Sequence, residues 1–148
     1  VSFWTRDEAE EKALKLAEYN GWVKTQDLNF IDNNNNHIQN LWINDKLNKD
    51  EKGITTWLIK EYSSFDKLIE LVNNVNKENN YEIITNRQFV ILKEGESMLN
   101  NNYTREIYCN FYHYQNIDKI KEALIDCLLK YYELTNDGKP FGKVMEWN

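Results

Sequence analysis

Side chains on a β-strand point alternately to its two faces, so a long run with two distinct alternating sets implies a strand and its orientation. The segment from Tyr103 to Tyr114, Tyr-Thr-Arg-Glu-Ile-Tyr-Cys-Asn-Phe-Tyr-His-Tyr, is such a run. One set is Arg105, Ile107, Cys109, Phe111 and His113, whose apolar centre reads as core. The other is Glu106, Tyr108, Asn110, Tyr112 and Tyr114. That row of tyrosines is either a cross-strand packing face or a surface that binds a partner, because Tyr buries large area at small entropic cost.

The rest of the chain supplies helices to cover such a strand. Thr5 and Glu8 form a capping box, with Trp4 placed to staple onto Ala9, and Gly21 stops the helix they begin. Strands are expected at Trp22–Ile31, at about His37–Asn44 and at Ile54–Glu61, with an Asn-rich turn and a charged loop (Asp45–Gly53) between them. In the last strand Trp57 and Ile59 share one face and Leu58 takes the other. Ser63 or Ser64 caps a second helix, Phe65–Lys77, with the stripe Phe65, Leu68, Ile69, Val72 and Val75. Strands at Tyr81–Thr85 and Gln88–Lys93 flank an Asn86-Arg87 hairpin loop. Asn116 caps a third helix, Ile117–Leu134, with Ile117, Ile120, Leu124, Cys127, Leu128 and Tyr131 on one side. Val144–Trp147 reads as a short edge strand.

The resulting order, α-βββ-α-βββ-α, predicts one α+β domain over residues 1–148. It has a mainly antiparallel sheet and three amphipathic helices in an α/β/α-type sandwich. Residues 5–61 and 63–114 read as two diverged α-βββ units, followed by the final helix 117–134 and a tail, 135–148.

With 148 residues, 41% of them hydrophobic, the chain can bury a core without disulfides or metal. A net charge of −6 disfavours direct nucleic-acid binding, which depends on phosphate neutralisation, and suits a partner with a basic surface. No apolar run approaches the ~18 residues of a membrane span. No signal-peptide pattern is recognised, and the only cysteines are Cys109 and Cys127. A reduced, cytoplasmic protein is the expectation. The asparagine runs Asn33–Asn36 and Asn100–Asn102 read as solvated turns.

Three constellations invite chemistry. Cys109 and His113 share a strand face but stand about 13 Å apart, far beyond the reach of a nucleophile–base pair. A zinc site there would need His37, Cys127 or carboxylates in addition. Asp32, Asn34 and Asn36 imitate the start of an EF-hand loop, but His37 replaces the required glycine and Ile43 the closing glutamate. Glu94, Glu96 and Glu106 are the best carboxylate cluster for acid–base or metal work, with hydrated charges the plainer reading. No phosphate-binding loop or serine nucleophile motif is present. No catalytic residue, cofactor or metal is therefore expected.

Two patches resemble a small phage-encoded family, the phage ABA sandwich domain. One is Ala17-Glu18-Tyr19-Asn20-Gly21-Trp22, similar to the close of the family's first helix. The other is Tyr62-Ser63-Ser64-Phe65-Asp66-Lys67-Leu68-Ile69-Glu70-Leu71-Val72, similar to its helix entry after a polar turn. The chain lacks the proline expected before that turn and carries an Asn-rich insertion between Trp22 and Tyr62. The resemblance implies a three-layer phage or prophage accessory protein and no catalytic residues.

The functional expectation is a non-enzymatic accessory protein of a mobile element that blocks or sequesters a host protein, such as a defence nuclease. Tyr108, Tyr112, Tyr114 and Glu106 are the expected contact residues. The alternatives are an immunity protein that neutralises a cognate toxin, and an enzyme or small-ligand binder using Glu94, Glu96 and Glu106.

Overall fold

A computed structural model describes residues 4–24, 41–44, 52–77, 80–86, 88–95, 104–111 and 116–135. The capping box at Thr5 is present. Its side chain accepts from the Glu8 amide at 3.2 Å and donates to the Glu8 carboxylate at 3.4 Å. Helix α1 then runs Arg6–Tyr19 and buries Ala13, Leu16, Ala17 and Tyr19. It ends at Asn20, and Gly21 follows with φ 99°, a conformation that side chains with a Cβ resist. The Trp4 ring carries the Lys12 ammonium 3.9 Å from its centroid.

Strands β1 (Trp22–Lys24), β2 (Leu41–Asn44) and β3 (Lys52–Ile54) form an antiparallel sheet in that order. The remainders of the first two expected strands, and the Asn-rich turn between them, lie outside the described residues.

The expected strand Ile54–Glu61 is instead helix α2, Thr55–Glu61. β-Branched and aromatic residues favour strand here, but tertiary contacts override that weak preference. Leu58 and Tyr62, one helical turn apart, are both buried. The Trp42 indole donates to Thr55 Oγ1 at 2.8 Å, and the Trp22 indole donates to the Tyr62 hydroxyl at 3.2 Å. The Trp57 ring lies against Gly53, where a Cβ would stand only 2.9 Å from it.

Helix α3 spans Phe65–Lys77 as expected, with Ser64 as its cap. Its buried positions are Leu68, Leu71, Val72 and Val75. Leu71 takes the place expected of Ile69, which is 51% exposed.

The second sheet is antiparallel in the order β4 (Tyr81–Thr85), β5 (Phe89–Gly95) and β6 (Thr104–Phe111). The Asn86 amide donates to the Phe89 carbonyl and the Asn86 side chain accepts from the Gln88 and Phe89 amides, while Arg87 of the expected hairpin loop lies outside the described residues. Helix α4, Ile117–Thr135, is capped by Asn116, whose side chain accepts from the Lys119 amide. It buries Ala123, Leu124, Ile125, Cys127, Leu128 and Tyr132, while Ile117 is exposed and Tyr131 half-buried.

The class is α+β; the described residues form four helices rather than three, and two three-stranded sheets. Each half repeats a helix, a three-stranded meander and a helix. Helix α4 is the common support, packing on α1, α3, β5 and β6. Its contacts with α1 advance in step along both helices: Trp4 with Glu122, Lys12 with Asp126, Tyr19 with Tyr132. The two helices therefore run in the same direction.

One edge of the second sheet is closed by a side chain. Asn76 of α3 accepts from the Ile83 amide at 2.7 Å and donates to the Ile83 carbonyl at 3.1 Å. The carboxamide thus pairs with β4 as a neighbouring strand would. Asn76→Ala is expected to lower stability by roughly 1–3 kcal/mol, because both groups lose their partner. Gly21→Ala is expected to cost roughly 1–2 kcal/mol through backbone strain. Urea unfolding midpoints of the two variants check both values.

Candidate functional site

The second sheet has an inner and an outer face, and the register assigns each residue to one of them. Ile83, Val90 and Leu92 are buried on the inner side, where α3 and α4 pack. The Cys127 thiol of α4 donates to the Val90 carbonyl at 3.5 Å. In β5 the alternation is regular, leaving Phe89, Ile91 and Lys93 for the outer side.

In β6 the alternation breaks. Leu92 pairs with Tyr108 and Lys93 with Glu106, so Ile107 has no partner across the ladder. This is a β-bulge, two residues opposite one. On one side of it Arg105 falls on the inner face and Glu106 on the outer, as period-two reading predicts. On the other side the assignment is reversed. Tyr108 packs against the core, and Asn110 donates to Asp126 of α4 at 3.5 Å. Cys109 and Phe111 turn outward, Phe111 with 76% of its surface exposed. The expectation that Cys109 and Phe111 belong to the core is therefore corrected. A sequence signal existed: Ile107 and Tyr108 are adjacent apolar residues, which a regular one-sided strand does not place together.

Of the expected contact residues, the two that are described, Tyr108 and Glu106, fall on opposite faces. Tyr108 is half-buried towards α4, and burial followed by the Asp126 and Cys127 charges pushes its hydroxyl pKa up. Glu106 is exposed on the outer face, while Tyr112 and Tyr114 lie outside the described residues. The carboxylate cluster is also divided. Glu94 and Glu106 occupy adjacent rungs and so point to opposite faces, and Glu94 pairs with Arg105 at 2.9 Å. Glu96, His113, His37 and the Asp32–Asn36 segment lie outside the described residues. Among the described residues no group of three or more His, Cys, Asp or Glu converges as metal ligands would.

What the register does bring together is an outer face built of rungs. Ile84, Ile91 and Cys109 form one, and Phe89 and Phe111 form the next, their rings edge to face at 6.1 Å. On the other side of the aliphatic rung stand Glu82, Lys93 and Glu106. The central strand reads Phe89-Val90-Ile91-Leu92 and its neighbour contains Ile83-Ile84. Continuous apolar runs of this kind belong to strands covered on both faces. The inner residues are buried, whereas Ile84, Phe89, Ile91 and Cys109 keep partial exposure.

A separate open recess of about 230 Å³ between α1 and α4 is lined by Lys15, Tyr19, Leu129 and Glu133. That is smaller than the roughly 300–1,000 Å³ of ordinary ligand pockets.

The two thiols differ. Burial, then the Glu106 charge, raises the pKa of Cys109, which remains partly exposed. Burial pushes Cys127 from 9.0 up to about 12, with Asp126 adding to the effect. Burial likewise raises Tyr132 from 10.0 to about 12, against a hydrogen bond to Asn20 that lowers it. Both groups titrate higher folded than unfolded. Their contribution to stability is therefore complete below about pH 9 and is lost as pH rises towards 12.

Unfolding midpoints should fall across that alkaline range, and a Cys127→Ala variant should show a shallower fall. A thiol reagent is expected to modify Cys109 in the folded protein and Cys127 only on unfolding, as mass spectrometry under native and denaturing conditions would show. No protein-family model matches this chain, and neither a curated protein nor a solved structure was found to match it.

Proposed function

We propose that this chain is a binding protein that acts by occupying another protein's surface through the outer face of its second sheet. The observation that carries this reading is Phe111. A large aromatic side chain stands 76% exposed at the end of an apolar rung system, on a sheet whose central strand, Phe89-Val90-Ile91-Leu92, has the composition of a doubly covered strand. Exposed aromatics of this kind anchor protein interfaces, where a few residues carry most of the binding free energy.

The finer reading is an accessory protein of a phage or prophage that blocks or sequesters a host protein. The net charge of −6 and the sequence resemblance support it. Glu106 remains a contact residue in this proposal, since it borders the same face; Tyr108 does not.

The test uses tagged wild-type chain and Phe111→Ser in a bacterial lysate. Because Phe111 is exposed, the variant should keep its melting temperature. The wild type is expected to retain a defined protein, and the variant to bind it at least tenfold more weakly, about 1.4 kcal/mol. A wild type that retains nothing specific, or a variant that retains the same protein equally well, would overturn the proposal.

A further inference from the structure

We infer that the partner presents a basic amphipathic helix, laid across the outer face of the second sheet; this rests on the binding reading above. Three observations select that occupant over an added strand or an acidic one.

The sheet's edges are poorly suited to strand addition. On β4 the Asn76 carboxamide already occupies the outward amide and carbonyl of Ile83. On β6 the bulge at Ile107 interrupts the regular spacing that an incoming strand needs. A partner that recognises this sheet therefore meets its face.

The face has the dimensions of one helix. Three strands at about 4.8 Å spacing set the outer rows of β4 and β6 roughly 10 Å apart, close to the diameter of a helix with its side chains. From Glu106 to Phe111 the strand extends roughly 16 Å, which a helix covers in about eleven residues. The inner face shows the same solution within the chain: Ile83, Val90 and Leu92 are covered by α3 and α4.

The charges give the sign. The row beside the aliphatic rung places Glu82 and Glu106 on either side of Lys93. Two carboxylates against one ammonium, on a chain of net charge −6, favour lysine or arginine on the flanks of the incoming helix.

The probes are a labelled fourteen-residue Leu/Lys amphipathic peptide and its Leu/Glu counterpart, titrated with the full chain and followed by fluorescence anisotropy and circular dichroism. The Leu/Lys peptide is expected to bind and gain helicity, and the Leu/Glu peptide to bind at least tenfold more weakly. Phe111→Ser should weaken the Leu/Lys peptide about tenfold, Glu82→Gln with Glu106→Gln severalfold, and Ile69→Ser on α3 not at all. If both peptides bind alike, or the double glutamine variant binds unchanged, the basic helix is wrong while the face reading stands. If Phe111→Ser changes nothing, or Ile69→Ser weakens binding as much, the face itself is wrong. Binding with gain of strand rather than helix would also overturn the inference.

Discussion

One unpaired residue in β6 determines what the second sheet shows to water. Because side chains alternate, an insertion of one position moves everything beyond it to the opposite face. The bulge at Ile107 sends Tyr108 and Asn110 inward and Cys109 and Phe111 outward. The inward pair has partners on α4, where Asp126 meets Asn110. The outward pair completes the Ile84–Ile91 and Phe89 rungs. Burying a phenylalanine contributes roughly 1.5–3 kcal/mol, which Phe111, 76% exposed, largely withholds from the fold.

Helix α4 explains why the bulge is tolerated. Its stripe faces α1, α3 and the inner sheet face together, and its polar groups sit at the seams. Asp126 receives the Lys12 ammonium of α1 at 2.9 Å as well as the Asn110 amide, so one half-buried carboxylate joins three elements. Nearer the helix end, edge-to-face Tyr81–Tyr131 and Tyr131–Tyr132 contacts lead to the stacked Tyr19–Tyr132 pair. These connect β4, α4 and α1 through rings about 5 Å apart. Tyr108 and Asn110 fit this surface because one has an apolar body with a polar tip and the other can meet a carboxylate. Phe111 offers no polar group to such a seam.

Local features were legible in the sequence where local chemistry decides them. The Thr5 cap, the Gly21 stop, the whole of α3 and the Asn116 cap all follow from short-range hydrogen bonding and 3.6-residue periodicity. The failures share one cause. Thr55–Glu61 has strand-like composition, but Leu58 and Tyr62 find their partners from a helix, and the Trp22 and Trp42 indoles reach it from the first sheet. Leu71 replaces Ile69 because the buried arc of Leu68, Leu71, Val72 and Val75 is rotated about the helix axis relative to the stripe counted from Phe65. A bulge depends on which strand lies opposite, and no run of residues specifies that by itself. What the sequence left open is the side of the strand: the alternation was legible, and the shift at Ile107 that turns Cys109 and Phe111 outward was not.

In the proposed binding role a partner covers the outer face of the second sheet, and magnitudes say what kind of contact that requires. Association costs on the order of 4–15 kcal/mol in lost translational and rotational freedom. Phe111, at roughly 1.5–3 kcal/mol, cannot meet that cost alone. Ile84, Phe89, Ile91 and Cys109 are each partly covered already and contribute less apiece, so they matter only when engaged together. A flexible loop touching Phe111 would lose its ordering entropy in exchange for one anchor. A helix lying along the rungs engages the apolar residues and both flanking carboxylates at once and satisfies its own backbone hydrogen bonds internally. The distribution of the side chains, more than the exposure of any one of them, is what favours a helix as the proposed occupant.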